Sequence, residues 1–235
     1  KEQRKHIPTL VQMMETYGMR QADILIAQTN DQAKSLKDAT GHSAYVIRNI
    51  AASIQNVIKE NSDTMSKSLQ CDVLWAGNST PNKRPGVVME LARMLPDVSF
   101  AMGMNKSSSS AFEHWEKMAE PIQNLRFLGE LSPGEMEHWF TRTRLLLNTS
   151  EREGFPNTFL QAWLNNVPVV SLEIDPDQII REYGLGRIHN TNELEQAKNN
   201  DLMLATSMVS SIRELLQNEE LRKEIGLRAA QYLRK

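Results

Sequence analysis

Cysteine is scarce, with Cys71 alone among 235 residues. A single cysteine cannot close an intramolecular disulfide, and because Cys71 opens an apolar run it reads as a small core residue. The compartment this implies is a reducing one, the cytoplasm. Charge of one sign is also lacking: 27 basic against 29 acidic residues leave a formal net charge of -2. That balance gives no bulk attraction to nucleic acid or to anionic lipid, so nucleic acid is not an expected partner. No apolar run approaches the roughly 20 residues of a membrane span, and residues 1–6 lack the apolar core of a signal peptide. The five histidines show neither H-E-x-x-H nor paired-cysteine spacing, so no metal site is expected. His114 and His138 read as surface or internally satisfied residues, and Ser150 lacks the flanking glycines of a nucleophile elbow.

What remains is an ordinary globular composition, 40% hydrophobic and 24% charged, at a length of one to two domains. A chain of this size buries roughly 70% of its unfolded surface and needs no staples. Short runs of Val, Ile and Leu alternate with longer segments of helical period, the pattern of a parallel sheet with crossover helices. The fold class is therefore α/β, with strands expected at 24–27, 45–48, 73–76, 98–102, 125–128, 145–148, 169–172 and 187–189. Val87, Val88, Leu91, Met94 and Leu95 recur at helical spacing between Pro85 and Pro96, marking one crossover helix. Further helices are expected at 110–120, 133–142 and, as one long stretch, 192–234. The serine run 107–110 reads as a mobile loop.

Residues 51–70 accumulate Ser, Asn, Asp and Lys without a clean period and read as an interdomain linker. Residues 1–50 hold too few elements for a doubly wound domain and are expected to be the tail of one that begins upstream. Residues 71–235 then form the second domain.

Ligands of open parallel sheets bind at the carboxyl ends of the strands, so the strand-to-helix turns carry the chemistry. Two turns are unusual. In the first, Gly77 ends a strand, Asn78 follows, and Lys83 and Arg84 enter the next helix. It is not a P-loop, because Asn82 stands where the second glycine is required and Arg84 where Ser or Thr is required. Two cations at a helix start, where cations are mildly disfavoured, lean toward anion binding.

The second turn runs from Asn148 through Glu153, Gly154, Phe155, Pro156, Asn157 and Thr158 into a helix carrying Phe159, Leu160, Trp163 and Leu164. Gly154 lets the backbone approach a ligand, while Pro156 and Asn157 suit helix initiation. The amides of Asn157 and Thr158 are then open donors beside the positive end of the helix dipole, a place for a diphosphate. Gln161, one turn on, points back toward the same place, so Glu153 and Gln161 can bracket one ligand. A carboxylate accepting from hydroxyls and an amide that donates and accepts suit a sugar attached to a phosphate.

Glu153-Gly-Phe-Pro-Asn-Thr-Phe-Leu-Gln161, followed by Ala162-Trp-Leu-Asn-Asn-Val-Pro-Val-Val, resembles the signature of retaining GT-B glycosyltransferases of family 4, in which a second glutamate follows the first after seven residues. Val73-Leu-Trp-Ala-Gly77 with Lys83 is similar to the family's strand, glycine and phosphate-binding lysine. Phe127-Leu-Gly129-Glu-Leu131-Ser resembles its loop near the base, and Val46-Ile-Arg-Asn49 its last strand before the linker. The resemblance implies a Rossmann-like donor-binding C-terminal domain, helices on both sheet faces, preceded by the end of the acceptor-side domain. Lys83 would hold the diphosphate, Glu153 the sugar hydroxyls, backbone amides of 154–158 the sugar and phosphate, Gln161 the ribose, and Leu131 the base through its backbone. Lys83 and Glu153 are thus the expected catalytic pair, with Gly77, Asn78 and Arg84 beside them. The reaction implied is transfer of a sugar from a nucleotide-diphosphate sugar to an unidentified acceptor, without cofactor or bound metal. Any membrane association would come through the part of the acceptor-side domain not included here.

Two charged family positions differ: the second glutamate is Gln161, and the arginine usual after the strand glycine is Asn78. Gln161 still bonds a ribose diol but loses the charge-assisted part, on the order of 1 kcal/mol. Arg84 or Arg152 would have to replace the missing arginine. These losses keep a second reading in play, a non-catalytic scaffold or partner-binding domain of the same fold. A nucleotide-sugar epimerase of that fold rests on analogy alone. In a two-domain cleft enzyme this stretch by itself is expected to bind donor and not to turn over.

Overall fold

In the computed structural model, which describes residues 9–49, 69–190 and 200–234, the apolar runs fold as two parallel sheets. The smaller is built from α1 (Thr9–Gln21), β1 (Ile26–Ala27), α2 (Asn30–Thr40) and β2 (Tyr45–Val46), with β1 paired to β2. These strands are shorter than the runs that announce them. Helix α2 is well delimited: Thr29 accepts from the Gln32 N–H at its start, and Gly41 closes its end in the left-handed conformation. The linker expected at 51–70 lies outside the described residues apart from 69 and 70.

The larger sheet has six strands: β3 (Cys71–Asn78), β4 (Phe100–Asn105), β5 (Leu125–Gly129), β6 (Thr143–Asn148), β7 (Val169–Ser171) and β8 (Gly186–Ile188). Its order is β5-β4-β3-β6-β7-β8, all parallel. The chain winds outward from β3 to β5, returns to lay β6 against β3, and winds outward the other way. The seam between β3 and β6 is the topological switch point, beside which ligands of open parallel sheets bind.

Neighbouring β3 side chains go to opposite faces, as strand alternation requires. Val73 and Trp75 pack with Val87, Leu91, Leu204 and Ile212, from α3 (Pro85–Met94) and α8 (Asp201–Gln217). Leu74 packs with Phe140, Phe159, Trp163, Ile179 and Ala229 on the other face. Those belong to α5 (Pro133–Phe140), α6 (Asn157–Leu164), α7 (Ile179–Tyr183) and α9 (Glu219–Tyr232). Both faces are thus covered by helices, as the Rossmann-like expectation required.

Three expectations need correction. The strand expected at 98–102 begins at Phe100, because Val98 is still in the turn after α3, its N–H donating to Leu95 O. The serine run 107–110 is not simply a loop: Ser108 caps α4 (Ser109–Ala119) by accepting from the Ala111 N–H, and the Ser107 N–H donates to Ser79 Oγ. The long C-terminal helix is two helices, separated at Asn218 (φ -101°, ψ 90°), whose side chain accepts from the Leu221 N–H and starts α9. The part of that stretch at 191–199 lies outside the described residues. Cys71 is buried as expected, and desolvation pushes its thiol up to about 11.

Candidate functional site

The loops that follow β3 and β6 meet over the switch point, and a polar lattice holds them together. Asn82, in a 3-10 turn spanning Pro81–Lys83, makes three hydrogen bonds to the opposite loop. Its carbonyl accepts from the Glu151 N–H at 2.9 Å, its Oδ1 from the Arg152 N–H at 3.1 Å, and its Nδ2 donates to Arg152 O at 2.9 Å. Beneath it, Trp75 Nε1 donates to Thr149 Oγ1 at 2.9 Å, and the Thr149 hydroxyl donates to Lys83 O at 2.6 Å. Gly77 is required here because a Cβ would come within 2.9 Å of the Trp75 ring.

The lattice brings Lys83 and Glu153 together. Lys83 Nζ lies 3.0 Å from Glu153 Oε1, with only 19% and 16% of the two side chains exposed. Asn148 Nδ2 donates to the same Oε1 at 2.9 Å. The two residues that the sequence singled out as a catalytic pair are therefore adjacent, 70 positions apart in the chain. A Lys–Glu pair of this kind presents a cation to an anionic ligand and a carboxylate to hydroxyl donors within one ligand's length.

Arg84 is placed differently. It does not enter the helix but bridges the 3-10 turn and α3 in a left-handed conformation, φ 46°. Its side chain is 9% exposed and directed at carboxylates, with Glu173 at 3.2 Å and Glu151 at 4.0 Å. Nearby, burial raises the Asp201 carboxyl above its ordinary range although the Arg84 charge opposes that shift. Arg84 thus has its charge matched within the protein. Asn78 is exposed at the end of β3, in register with Asn105.

Helix α6 begins with Pro156 as its N-cap, so Asn157 is the first helical residue and not the cap. Among the described residues no acceptor meets the N–H groups of Asn157 and Thr158, whereas the Phe159 N–H donates to Pro156 O. The expectation that every residue of 154–158 offers an amide is too broad. Pro156 has none, and the Phe155 N–H already donates to Gln28 Oε1 at 3.2 Å. The Phe155 ring is core, edge-on to Trp163.

Glu153 and Gly154 line a cleft of about 1250 Å³ between the two sheets. Its other walls are Ile26, Thr29, Gln32 and Ser35 from the first sheet and Glu173, Ile174 and Asp177 from the loop after β7. Leu131 is elsewhere, lining an open groove of about 660 Å³ with Phe127, Leu128, His138 and Trp139. Gln161 is half-buried on α6 and lines neither depression. Among the described residues no group of three or more His, Cys, Asp or Glu side chains could hold a metal ion, and no helix is long and apolar enough to cross a membrane.

Sequence reasoning missed Asn82, Gln28, Asn49 and Asp177 as builders of this site. Gln28 and Asn49 follow β1 and β2, and carboxyl ends of parallel strands are where such residues collect. That position was the available signal.

The family model described as "Glycosyl transferases group 1" matches residues 71–218. The alpha-galactosylglucosyldiacylglycerol synthase of Streptococcus pneumoniae is 26% identical over 147 residues, 61% of this chain and 39% of the synthase. Among solved structures, sucrose-phosphate synthase from Thermosynechococcus elongatus superposes with a TM-score of 0.73 at 10% identity, covering 99% of this chain and 60% of that one. The pneumococcal O-GlcNAc transferase GtfA, in complex with UDP and GlcNAc, gives 0.67 at 14% identity, covering 94% of this chain and 43% of that one. The fold is shared with these GT-B enzymes, and the chain spans less than half the length of the streptococcal synthase.

Proposed function

We propose that this chain, which belongs to the glycosyl transferases group 1 family, is the donor-binding part of an enzyme that moves a sugar from a nucleotide-diphosphate sugar to an acceptor hydroxyl with retention of configuration. The observation that carries the reading is the Lys83–Glu153 contact of 3.0 Å at the β3–β6 switch point. Lys83 and the open amides at the start of α6 would take the diphosphate, stabilising the negative charge that grows on it as the glycosidic bond breaks. Glu153 would accept from the sugar hydroxyls, and donor entry would draw Lys83 away from Glu153 toward phosphate. Gln161 would meet the ribose and the backbone of Leu131 the base, which requires the donor to reach from the cleft toward the Leu131 groove. Residues 71–235 would form the donor domain, residues 51–70 the linker and residues 1–50 the end of the acceptor-side domain. UDP stands first among candidate nucleotides because the pneumococcal transferase of the same fold is seen with it.

Calorimetric titration with UDP, GDP and ADP at low salt tests this. One nucleotide should bind saturably, and Lys83→Ala should weaken it at least about tenfold, the equivalent of one lost charge-assisted contact. Equal binding by Lys83→Ala would remove the lysine from the site. Absence of binding to all three would favour a scaffold that keeps only the fold.

A further inference from the structure

Phe155 is held at both of its main-chain polar groups by side chains from the first sheet. Its N–H donates to Gln28 Oε1 at 3.2 Å, and its carbonyl accepts from Asn49 Nδ2 at 2.9 Å. The two holders are tied to each other, Gln28 Nε2 donating to Asn49 Oδ1 at 3.0 Å. Asn49 Nδ2 also donates to Asn157 Oδ1 at 2.8 Å, and the Gln28 N–H donates to Gln32 Oε1 at 2.8 Å.

The main chain of Phe155 fixes the orientation of both amides, since a backbone N–H can face only an oxygen and a carbonyl only an N–H. Gln28 must present its oxygen to Phe155, which leaves its NH₂ for Asn49, whose NH₂ then serves Phe155 and Asn157. A Cβ at Gly154 would overlap Gln28 Oε1 and Gln32 Nε2, so glycine is what lets the clamp close on the loop.

What the clamp holds is more than one residue. Phe155 lies between Glu153, which pairs with Lys83, and Pro156, whose ring sets φ at -65° as the α6 cap. With Phe155 held at both ends, the approach of Glu153 and the direction of the open Asn157 and Thr158 amides follow.

We propose that Asn49 and Gln28 are positioning residues of the donor site: without touching the donor, they set the loop 153–158 in the conformation that receives a nucleoside diphosphate. This rests on the donor-site reading above. It makes donor affinity a property of the join between the sheets and not of the larger sheet alone.

The test compares the unaltered chain with Asn49→Ala, Gln28→Ala and Gln28→Glu, using UDP titration and amide hydrogen exchange without ligand. Asn49→Ala and Gln28→Ala should speed exchange at residues 155 and 159, whose N–H groups are hydrogen-bonded in the held loop, and weaken UDP binding, each about tenfold, while the melting temperature stays within a degree or two. Gln28→Glu keeps an oxygen for the Phe155 N–H and should recover part of both effects. UDP binding that Asn49→Ala leaves unchanged, whatever the exchange rates, would overturn the clamp while leaving the donor reading intact. No binding by the unaltered chain would overturn the donor reading first, and the clamp's role with it.

Discussion

Asp177 caps a helix that belongs to the other sheet: its Oδ1 accepts the main-chain N–H of Asn30, at the start of α2, at 2.8 Å across 147 residues of sequence. Oδ2 accepts from Asn30 Nδ2 at 2.9 Å and from Arg48 Nη2 at 3.1 Å. Only 9% of the Asp177 side chain is exposed, and its backbone is left-handed, φ 50° and ψ 25°. A helix N-terminus favours a carboxylate, so a strained loop residue is held in place by what it caps.

Asp177→Ala should therefore loosen the docking of residues 9–49. Thr29 still caps α2 internally, so the helix persists while its attachment weakens by about 1–2 kcal/mol. Hydrogen exchange across α2 reads the effect, and Asp177→Asn, which keeps one accepting oxygen, should lie between. Unchanged exchange in α2 would show that the apolar contacts alone dock it.

Thr149→Val should cost about 1–3 kcal/mol, the range for stranding a buried donor. Thr149 is 0% exposed and Trp75 1%, so the indole N–H has no water to turn to. Thr149→Ser restores the hydroxyl and should recover most of the loss in urea denaturation. If valine and serine variants denature alike, the hydroxyl contributes nothing.

Two histidines give the stability a pH slope. Burial lowers His189 below the usual histidine range, and burial together with the Arg142 charge lowers His138, whose Nε2 lies 2.7 Å from Arg142 Nη1. Both are thus neutral in the folded protein where the unfolded chain would take up protons. Stability is full above the ordinary histidine pKa of about 6.5 and is lost as pH falls through it toward the lowered values. The melting temperature should drop between pH 7.5 and 5.5, and His189→Gln should flatten that fall. A variant with the parent's slope would place the proton uptake elsewhere.

The sheet was legible because it rests on local signals. Val73, Leu74 and Trp75, or Leu145, Leu146 and Leu147, are runs that suit burial on both faces, whereas β5 and β8, with Arg126 and Arg187, are weaker signals at the sheet edges. The break at Asn218 was equally local, an N-cap asparagine before Glu219 and Glu220, but the apolar residues on either side hid it. Lys83 and Glu153 stand out in the sequence by the types of loop they occupy, and the fold makes them neighbours. Their partners do not stand out, because Asn82, Gln28 and Asn49 are ordinary polar residues whose role exists only once loops distant in sequence meet. For Arg84 the charge was legible, but the carboxylates of Glu173 and Glu151 that face it come from other loops.

The separations involved have a consequence for how the chain is made. The contacts that close the cleft join residues 106, 127 and 147 positions apart. Contacts so distant are slow to form, because ordering the intervening chain must precede them. On a ribosome adding about 5–20 residues per second, Gln28, Asn30 and Asn49 wait roughly five to thirty seconds before their partners are synthesised. The first sheet must survive that interval with its cleft wall bare, so synthesis speed and chaperone capture bear on the yield of a finished cleft more than on that of the six-stranded sheet.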